Sequence, residues 1–359
     1  MCGIAGVIDL RENFQAQSNS IVRRLLETLN NRGPDSKGLL DFPGHGLSIG
    51  HTRLAIQDLT ESGYQPMMSS SQRFSISFNG EIYNHLKLRK DYLPHKQFRG
   101  TSDTETIIEL VEEIGFSRTV SLLKGMFAIF VYDLKLDKFY LARDRIGEKP
   151  VAYFLSPNQF IFCSQVNSLS SVIPDNLKEF DLKSIDTFLK LGFIPSPNSI
   201  YQNIFKLAPG AILEGTKADM LSITINSYWN ISKDYMDVDK NASLDKDDLK
   251  NVLQETIAQE LLSDRNLGAF LSGGIDSSLI CSIAKEINPN LSTFSMGFEN
   301  ESYSELGISN QTSTILGTKH TEVICSQEDA LELVPNLNFA FDEPFADQSQ
   351  LPTMLLCRM

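Results

Sequence analysis

The chain lacks any pair of cysteines at CxxC spacing, and its five cysteines (Cys2, Cys163, Cys281, Cys325 and Cys357) are odd in number. Both features argue against a disulfide framework and against a zinc site, and fit a reducing, cytoplasmic setting. Long hydrophobic runs are missing too: no apolar stretch approaches the roughly 18–20 residues that a membrane-spanning helix needs. No cationic leader precedes an apolar stretch, so no signal peptide is expected. Positive charge is scarce. Lys and Arg total 32 against 45 Asp and Glu, giving a formal net charge of −13 and a pI of about 4.9. Such a surface repels phosphate backbones and speaks against a nucleic-acid partner. Internal repeats and low-complexity tracts are absent as well. What is present is ordinary globular composition, 42% apolar and 21% charged. At 359 residues the length suits roughly two domains of about 100–200 residues each.

The texture changes along the chain. Residues 1–210 read mostly as strands: Ile4–Asp9, Phe74–Phe78, Met126–Tyr132, Lys138–Ala142, Val151–Phe154 and Phe160–Cys163. Two helical stretches accompany them. Ile21–Leu29 aligns Ile21, Leu25, Leu26 and Leu29 on one face; Asp103–Ile114 does so with Ile107, Ile108, Leu110 and Val111, after Ser102 as N-cap. Many short strands with two helices suggest stacked sheets covered by helices. Residues 211–248 read as a connecting segment whose polar part, Tyr235–Asp248, is a linker. From 249 to 359 helices alternate with strands: a stripe from Leu249 to Leu262, then Leu267–Leu271, Ser277–Ile287, Leu291–Phe298, Glu305–Leu316 and Thr321–Cys325. That rhythm implies a mostly parallel sheet.

Two stretches carry chemistry. The first is Met1-Cys2-Gly3-Ile4-Ala5-Gly6. Trimming of Met1 would leave Cys2 with a thiol and a free α-amine on one residue. Their ordinary pKa values lie near ~8.5 and ~8, so the amine can act as a built-in base and raise the thiolate fraction. Taken alone, the motif leaves open that Cys2 is an accident of the N-terminus. The second is Leu271-Ser272-Gly273-Gly274-Ile275-Asp276-Ser277-Ser278, in which an apolar strand enters a Ser/Gly-rich turn and a helix follows. Glycines let backbone N–H groups approach an anion, and the helix N-terminus adds to them. Ser272, Ser277 and Ser278 offer hydroxyls. Asp276 makes sense as a Mg²⁺ ligand beside phosphates. The Lys of a Walker A loop is missing. The competing reading is a tight strand-to-helix turn capped by Asp and Ser.

SGGIDSS resembles the pyrophosphate loop of N-type ATP pyrophosphatases. An N-terminal Cys domain followed by that loop resembles the glutamine-hydrolysing asparagine synthetase family. The likeness runs through Met1–Gly6, Arg32-Gly-Pro-Asp35, His51–Ile56, Gln65-Pro-Met67, Phe78–Asn84, Ser102–Glu105, Gly125–Ala128, Ala142–Gly147, Gly192–Pro197, Lys206–Gly210, Leu267–Ser278 and Asp342–Asp347. It implies an α+β Ntn-hydrolase sandwich (αββα) over 1–210, followed over 249–359 by an incomplete α/β adenine-nucleotide α-hydrolase-like (PP-loop) domain. It further implies that Cys2 attacks the side-chain amide of glutamine and that Asn79 and Gly80 form the oxyanion hole. Arg53 would clamp the α-carboxylate, Glu81 and Asp103 would take the α-amine, and Leu54, Ala55, Ile56 and Gln57 would line the pocket. Leu271, Ser272, Gly273, Gly274, Asp276, Ser277 and Met296 would bind ATP, with Asp276 on Mg²⁺. Aspartate, activated as β-aspartyl-AMP, would accept the ammonia. A homodimer is open.

The chain departs from the family pattern at Asn31, Gln165, Arg265-Asn266, Ser304 and Asn310, mostly in the ATP half. Its last residues, from Leu351, read as a helix cut short, and the expectation is a truncated synthetase half. Four readings therefore stand: an asparagine synthetase; a glutaminase-only or inactive remnant; a relative that amidates another carboxylate, as in surface-polysaccharide assembly; and a non-catalytic glutamine-binding or interaction module. Glutamine binding without glutamate release favours the last, and ATP- and aspartate-dependent AMP release separates the first.

Overall fold

The computed structural model describes residues 1–11, 15–232, 245–300, 302 and 304–358, without the side chains of Gln15 and Ala16. The chain forms two compact units, Met1–Val238 and Asp239–Met359.

The first unit is built around β1 (Gly3–Asp9), which is buried along its whole length. Strand alternation sends Ile4 and Ile8 into one core and Ala5 and Val7 into another. β1 pairs antiparallel with β3 (Leu47–Arg53) on one side and with β9 (Gln159–Cys163) on the other. With β2 (Ser36–Phe42), β8 (Ala152–Ser156) and β10 (Ile204–Lys206) they make a six-stranded sheet in the order β10-β8-β9-β1-β3-β2. A second six-stranded sheet runs β12-β11-β7-β6-β5-β4, with β4 Met67–Met68, β5 Phe74–Ile82, β6 Gly125–Asp133, β7 Lys138–Arg143, β11 Ala211–Thr216 and β12 Asp219–Ser227.

Three hydrophobic layers separate four structural ones. α1 (Gln15–Thr28) and α5 (Val166–Ser170) cover the first sheet through Val22, Leu25, Leu26 and Leu169. α2 (His85–Tyr92), α3 (Asp103–Ile114) and α4 (Phe116–Leu122) cover the second through Leu88, Ile107, Leu110 and Val120. Between the sheets lie Ile4, Ile49, Phe130, Tyr132, Phe139 and Phe162. β6 shows how one strand serves two layers: Phe127, Ile129 and Val131 face the helices, while Ala128, Phe130 and Tyr132 face the other sheet. This is the expected αββα sandwich.

Several expectations need correction. Residues 1–210 hold more than two helices: α2, α4, α5 and α6 (Leu182–Leu191) join α1 and α3. The structure also carries the first unit past residue 210, because β11 pairs with β7 and β12 pairs with β11. Residues 211–227 are thus sheet. β12 escaped notice because it is an edge strand with mostly exposed side chains. β3 was missed because its Gly50-His51-Thr52-Arg53 end is polar although every residue of the strand is buried. Residues 235–244 of the expected linker lie outside the described residues; Asp245 caps α7 (Lys246–Glu260).

In the second unit β13 (Gly268–Phe270), β14 (Ser292–Phe298) and β15 (Lys319–Cys325) form a parallel sheet in that order. α8 (Ile275–Ile287) and α9 (Leu306–Leu316) make the crossovers. α7 packs on α8 through Leu253, Ile257, Ile283 and Ala284.

Phe130 is fully buried between the sheets and stacks on Phe162 at 4.1 Å between ring centroids. Phe130→Ala should destabilise the first unit by about 3–5 kcal/mol. Leu221→Ala, at a side chain 65% exposed, should stay within about 0.5 kcal/mol. Urea unfolding of both variants checks this.

Candidate functional site

The register of β1 on β3 builds the site. Gly3 pairs with Thr52, so Cys2, one residue earlier, lies beside Arg53 at the end of β3. The Cys2 thiol accepts from the Leu54 N–H at 3.4 Å, and Arg32 Nε donates to the Cys2 carbonyl at 3.0 Å. The Arg-Gly-Pro-Asp turn therefore holds the chain's first residues. Its Asp35 accepts the Ala55 N–H at 2.8 Å and fixes the loop that follows β3.

Alternation decides which side chains enter the gap between the sheets. On β3, Leu47 and Ile49 face it, and so do His51 and Arg53. On β5, Ile76 and Phe78 face the helices, so Ser77, Asn79 and Glu81 face the gap. Two polar ties cross it. His51 Nε2 donates to the Phe78 carbonyl at 3.0 Å, and Ser77 Oγ donates to the Gly50 carbonyl at 3.0 Å. Burial pulls the His51 pKa down to about 3, so the ring is neutral and keeps this tie across the physiological range.

At the end of the gap a cavity of about 190 Å³ opens. Cys2, Arg53, Leu54, Ile56, Gln57, Asn79, Gly80, Glu81 and Asp103 all line it; Ala55 does not, being turned inward and buried. Arg53 is only 5% exposed and donates to the carbonyls of Gln57, Asp58 and Thr60. Carbonyl partners leave its charge uncancelled. A Cβ at Gly63 would stand 2.1 Å from Arg53 Nη2, so only glycine fits there.

Among the described residues, β5 offers one donor without a partner and a second that points away from its neighbour β6. Asn79 Nδ2 is buried and bonds to nothing. Gly80 lies between Phe78, whose N–H goes to Gln65 Oε1 at 2.7 Å, and Ile82, whose N–H goes to Asp103 Oδ2 at 2.9 Å. Period two points the Gly80 N–H the same way, past the short β4 and into the cavity. Opposite Gly80, Phe127 N–H and C=O bond to Asp144 and not to Gly80, as expected where the Gly80 N–H points away from β6. A Cβ at Gly80 would meet the Met126 carbonyl at 2.1 Å. An unpaired buried amide is costly, about 1–3 kcal/mol, unless a ligand completes it.

Charge is divided within the cavity. Asp103 opens α3 and is fully buried; burial raises its pKa to about 7, against the hydrogen bonds from Ile82 and Thr104. Burial also raises Glu81 and the Cys2 thiol, and lowers the amine of Met1, the residue before Cys2. Lys149 lines the cavity too, with its ammonium pKa lowered by burial. Sequence reasoning overlooked Lys149, Gln65 and Thr104. Gln65 links Phe78 to Thr104 Oγ1, at 3.1 Å from its Nε2. Its motif had been noticed without a role. No local signal marks Lys149, which only the sheet topology brings near Cys2.

In the second unit Ser272–Ser278 runs from the end of β13 into the N-terminus of α8. Ser272 Oγ and Ser277 Oγ lie 2.8 Å apart, and Ser272 Oγ accepts the Gly274 N–H at 3.1 Å. The Gly273 N–H is bound by a Glu305 carboxylate oxygen at 3.0 Å. The loop thus already takes an anionic oxygen, as a phosphate-binding turn would. Asp276 is exposed in the first turn of α8. No cluster of three or more acidic, His or Cys side chains suited to a metal occurs among the described residues. One carboxylate still fits Mg²⁺, which takes most of its ligands from water and phosphate. Leu271 is buried and Met296 half-buried on the neighbouring β14. A separate cavity of about 640 Å³ lies at the ends of β14 and β15, lined by Phe298, Cys325, Gln348 and Leu351 among others, and none of the expected ATP residues borders it.

Residues 1–229 match the glutamine amidotransferase domain family, and residues 248–359 match the asparagine synthase family. A Methanocaldococcus jannaschii protein provisionally named asparagine synthetase (glutamine-hydrolyzing) 2 is 33% identical over all of this chain and 72% of its own length. Asparagine synthetases (glutamine-hydrolyzing) 1 and 3 of Bacillus subtilis are each 30% identical over all of this chain, which spans 55% and 60% of them. Among solved structures, glutamine phosphoribosylpyrophosphate amidotransferase from B. subtilis gives a TM-score of 0.47 at 15% identity, over 89% of this chain and 65% of that one. With both halves matched in order, the chain belongs to the glutamine-hydrolysing asparagine synthetase family.

Proposed function

We propose that the first unit hydrolyses glutamine with Cys2 as nucleophile, and that its ammonia serves ATP-dependent synthesis of asparagine from aspartate. The reading rests most on one observation: the orphaned Asn79 Nδ2 and the free edge of β5 at Gly80 share a cavity with the Cys2 thiol. An unpaired side-chain amide and a strand-edge N–H beside a nucleophile suit an oxygen that becomes negative during reaction.

After loss of Met1 the Cys2 amine takes the thiol proton, and Sγ attacks the side-chain carbonyl carbon of glutamine. Asn79 and Gly80 hold the oxyanion. The C–N bond breaks, the proton returns to the departing nitrogen as ammonia, and a glutamyl thioester remains. Water then releases glutamate and restores the thiol. Arg53 pairs with the substrate α-carboxylate and Asp103 and Glu81 with its α-ammonium, so both charges of the zwitterion are met. The Ser272–Ser278 loop holds the ATP pyrophosphate, with Leu271 and Met296 toward the adenosine. Mg²⁺ held by Asp276 would screen the phosphate charge. We place the protein in the cytoplasm: its five cysteines are free, and no helix among the described residues is long and apolar enough to cross a membrane.

Glutamate release by the purified chain tests the first half. Cys2→Ala should abolish it. Asn79→Ala should lower kcat about 100-fold, equivalent to roughly 3 kcal/mol, with little change in KM. Persistent release by Cys2→Ala would remove Cys2 from the mechanism. AMP release that depends on both aspartate and ATP tests the second half.

Asp103 gives a pH signature. Its folded pKa of about 7 lies above the ordinary carboxylate value, so the folded state binds the extra proton between about pH 4 and 7. Ionised Asp103 therefore destabilises the empty protein increasingly across that window. Asp103→Asn should match the parent near pH 4 and exceed it above pH 7, by on the order of 2–4 kcal/mol. It should also raise KM for glutamine. Thermal unfolding against pH, with steady-state kinetics, checks both.

A further inference from the structure

Lys149 is 6% exposed and lines the same cavity as Met1 and Cys2. Its backbone is held firmly: Asp144 Oδ2 accepts its N–H at 2.9 Å, and Arg143 Nε donates to its carbonyl at 2.8 Å. The same Asp144 accepts the N–H groups of Gly147 and Glu148. These bonds fix the backbone of the turn from which the Lys149 side chain enters the cavity. Among the described residues its ammonium makes neither a salt bridge nor a side-chain hydrogen bond. A buried cation left without a direct partner is expensive to maintain and calls for an electrostatic role.

We propose that Lys149 is a positioning residue for the nucleophile: its fixed positive charge keeps the N-terminal amine of trimmed Cys2 uncharged, and so able to accept the thiol proton. The inference rests on the glutamine-hydrolysis reading. An amine that is itself the base works only when neutral, and a cation held nearby disfavours a second one. The groups that face Lys149 fix the balance. Glu81 from β5, Glu148 from its own turn and the Cys2 thiol favour its charge; Arg32, from the turn after α1, opposes it. The Met1 amine, one residue before Cys2, meets the same groups from its side, with Arg32 and Lys149 opposing its protonation and the thiol and Glu81 favouring it; loss of Met1 moves the amine one residue along, to Cys2 on the same cavity. Arg53 and Asp103 act on the thiol with opposite signs. Lys149 is thus one of two cations set against the amine, and the one whose side chain is not tied to the Cys2 carbonyl.

The test is the pH dependence of kcat/KM for glutamate release in wild type, Lys149→Met and Lys149→Arg. The acid limb in Lys149→Met should move to higher pH by roughly 0.5–1 unit, because the amine then holds its proton longer. Lys149→Arg should restore the wild-type limb. A parallel measurement needs no turnover: the rate of Cys2 alkylation by iodoacetamide against pH, read by peptide mass spectrometry. Its midpoint should rise in Lys149→Met and return in Lys149→Arg. An unmoved alkylation midpoint in folded Lys149→Met overturns the proposal. A midpoint that moves equally in Lys149→Arg overturns it too, because packing rather than charge would then be responsible. Wild type that alkylates at Cys2 but releases no glutamate defeats the hydrolysis reading instead, so the two failures are told apart.

Discussion

The pairing of β1 with β3 is the constraint on which the site depends. A one-residue slip would turn every side chain of β1 to the opposite face. Ile4 and Ile8 would leave the inter-sheet core, and Cys2 would no longer lie beside Arg53. The register is strongly specified because both faces of β1 are buried. Apolar packing thus sets the position of a nucleophile that makes few strong bonds of its own. The His51–Phe78 and Ser77–Gly50 bonds then hold the second sheet to the first at the end where catalysis is proposed. Through them the β5 donors are placed against Cys2.

The cavity is a place where burial works against charge, and the opposing charges are left close together. Asp103, Glu81 and the thiol are pushed toward neutrality as acids, and Lys149 and the amine toward neutrality as bases. A site of this kind suits the zwitterion proposed for it, since such a ligand would supply the partner each group lacks. The unpaired Asn79 amide follows the same logic in hydrogen bonding. In the second unit Glu305 plays the opposite part, with its carboxylate on the Gly273 N–H where a phosphate oxygen is proposed to sit.

The sequence disclosed most where one period dominated. β1, β6, β7 and β9 stood out as apolar runs, and α3 was legible down to its Ser102 cap, which accepts the Thr104 N–H. β3 did not, because its functional end is polar and its burial comes from neighbours far along the chain. β12 reads as a connection because an edge strand needs little hydrophobicity; β11 is buried, but its short apolar run breaks at Glu214 and Gly215. The residues expected at the glutamine pocket converge on one cavity, apart from Ala55. Lys149 could not be found in the same way: its place depends on the turn fixed by Arg143 and Asp144, and a lone lysine carries no periodic signal. Of the residues expected at ATP, Leu271 to Ser277 share one strand-loop-helix unit, whose loop is visible from its glycines, while Met296 lies on the neighbouring β14.

The central claim is that trimmed Cys2 is a nucleophile placed to receive glutamine. Intact-mass and peptide mass spectrometry after treatment with a diazoketone analogue of glutamine tests it most directly. The account predicts a single adduct on Cys2, in chains that have lost Met1, with labelling suppressed by glutamine. An adduct that forms instead on exposed Cys357, or labelling of Cys2 that glutamine does not suppress, would contradict it.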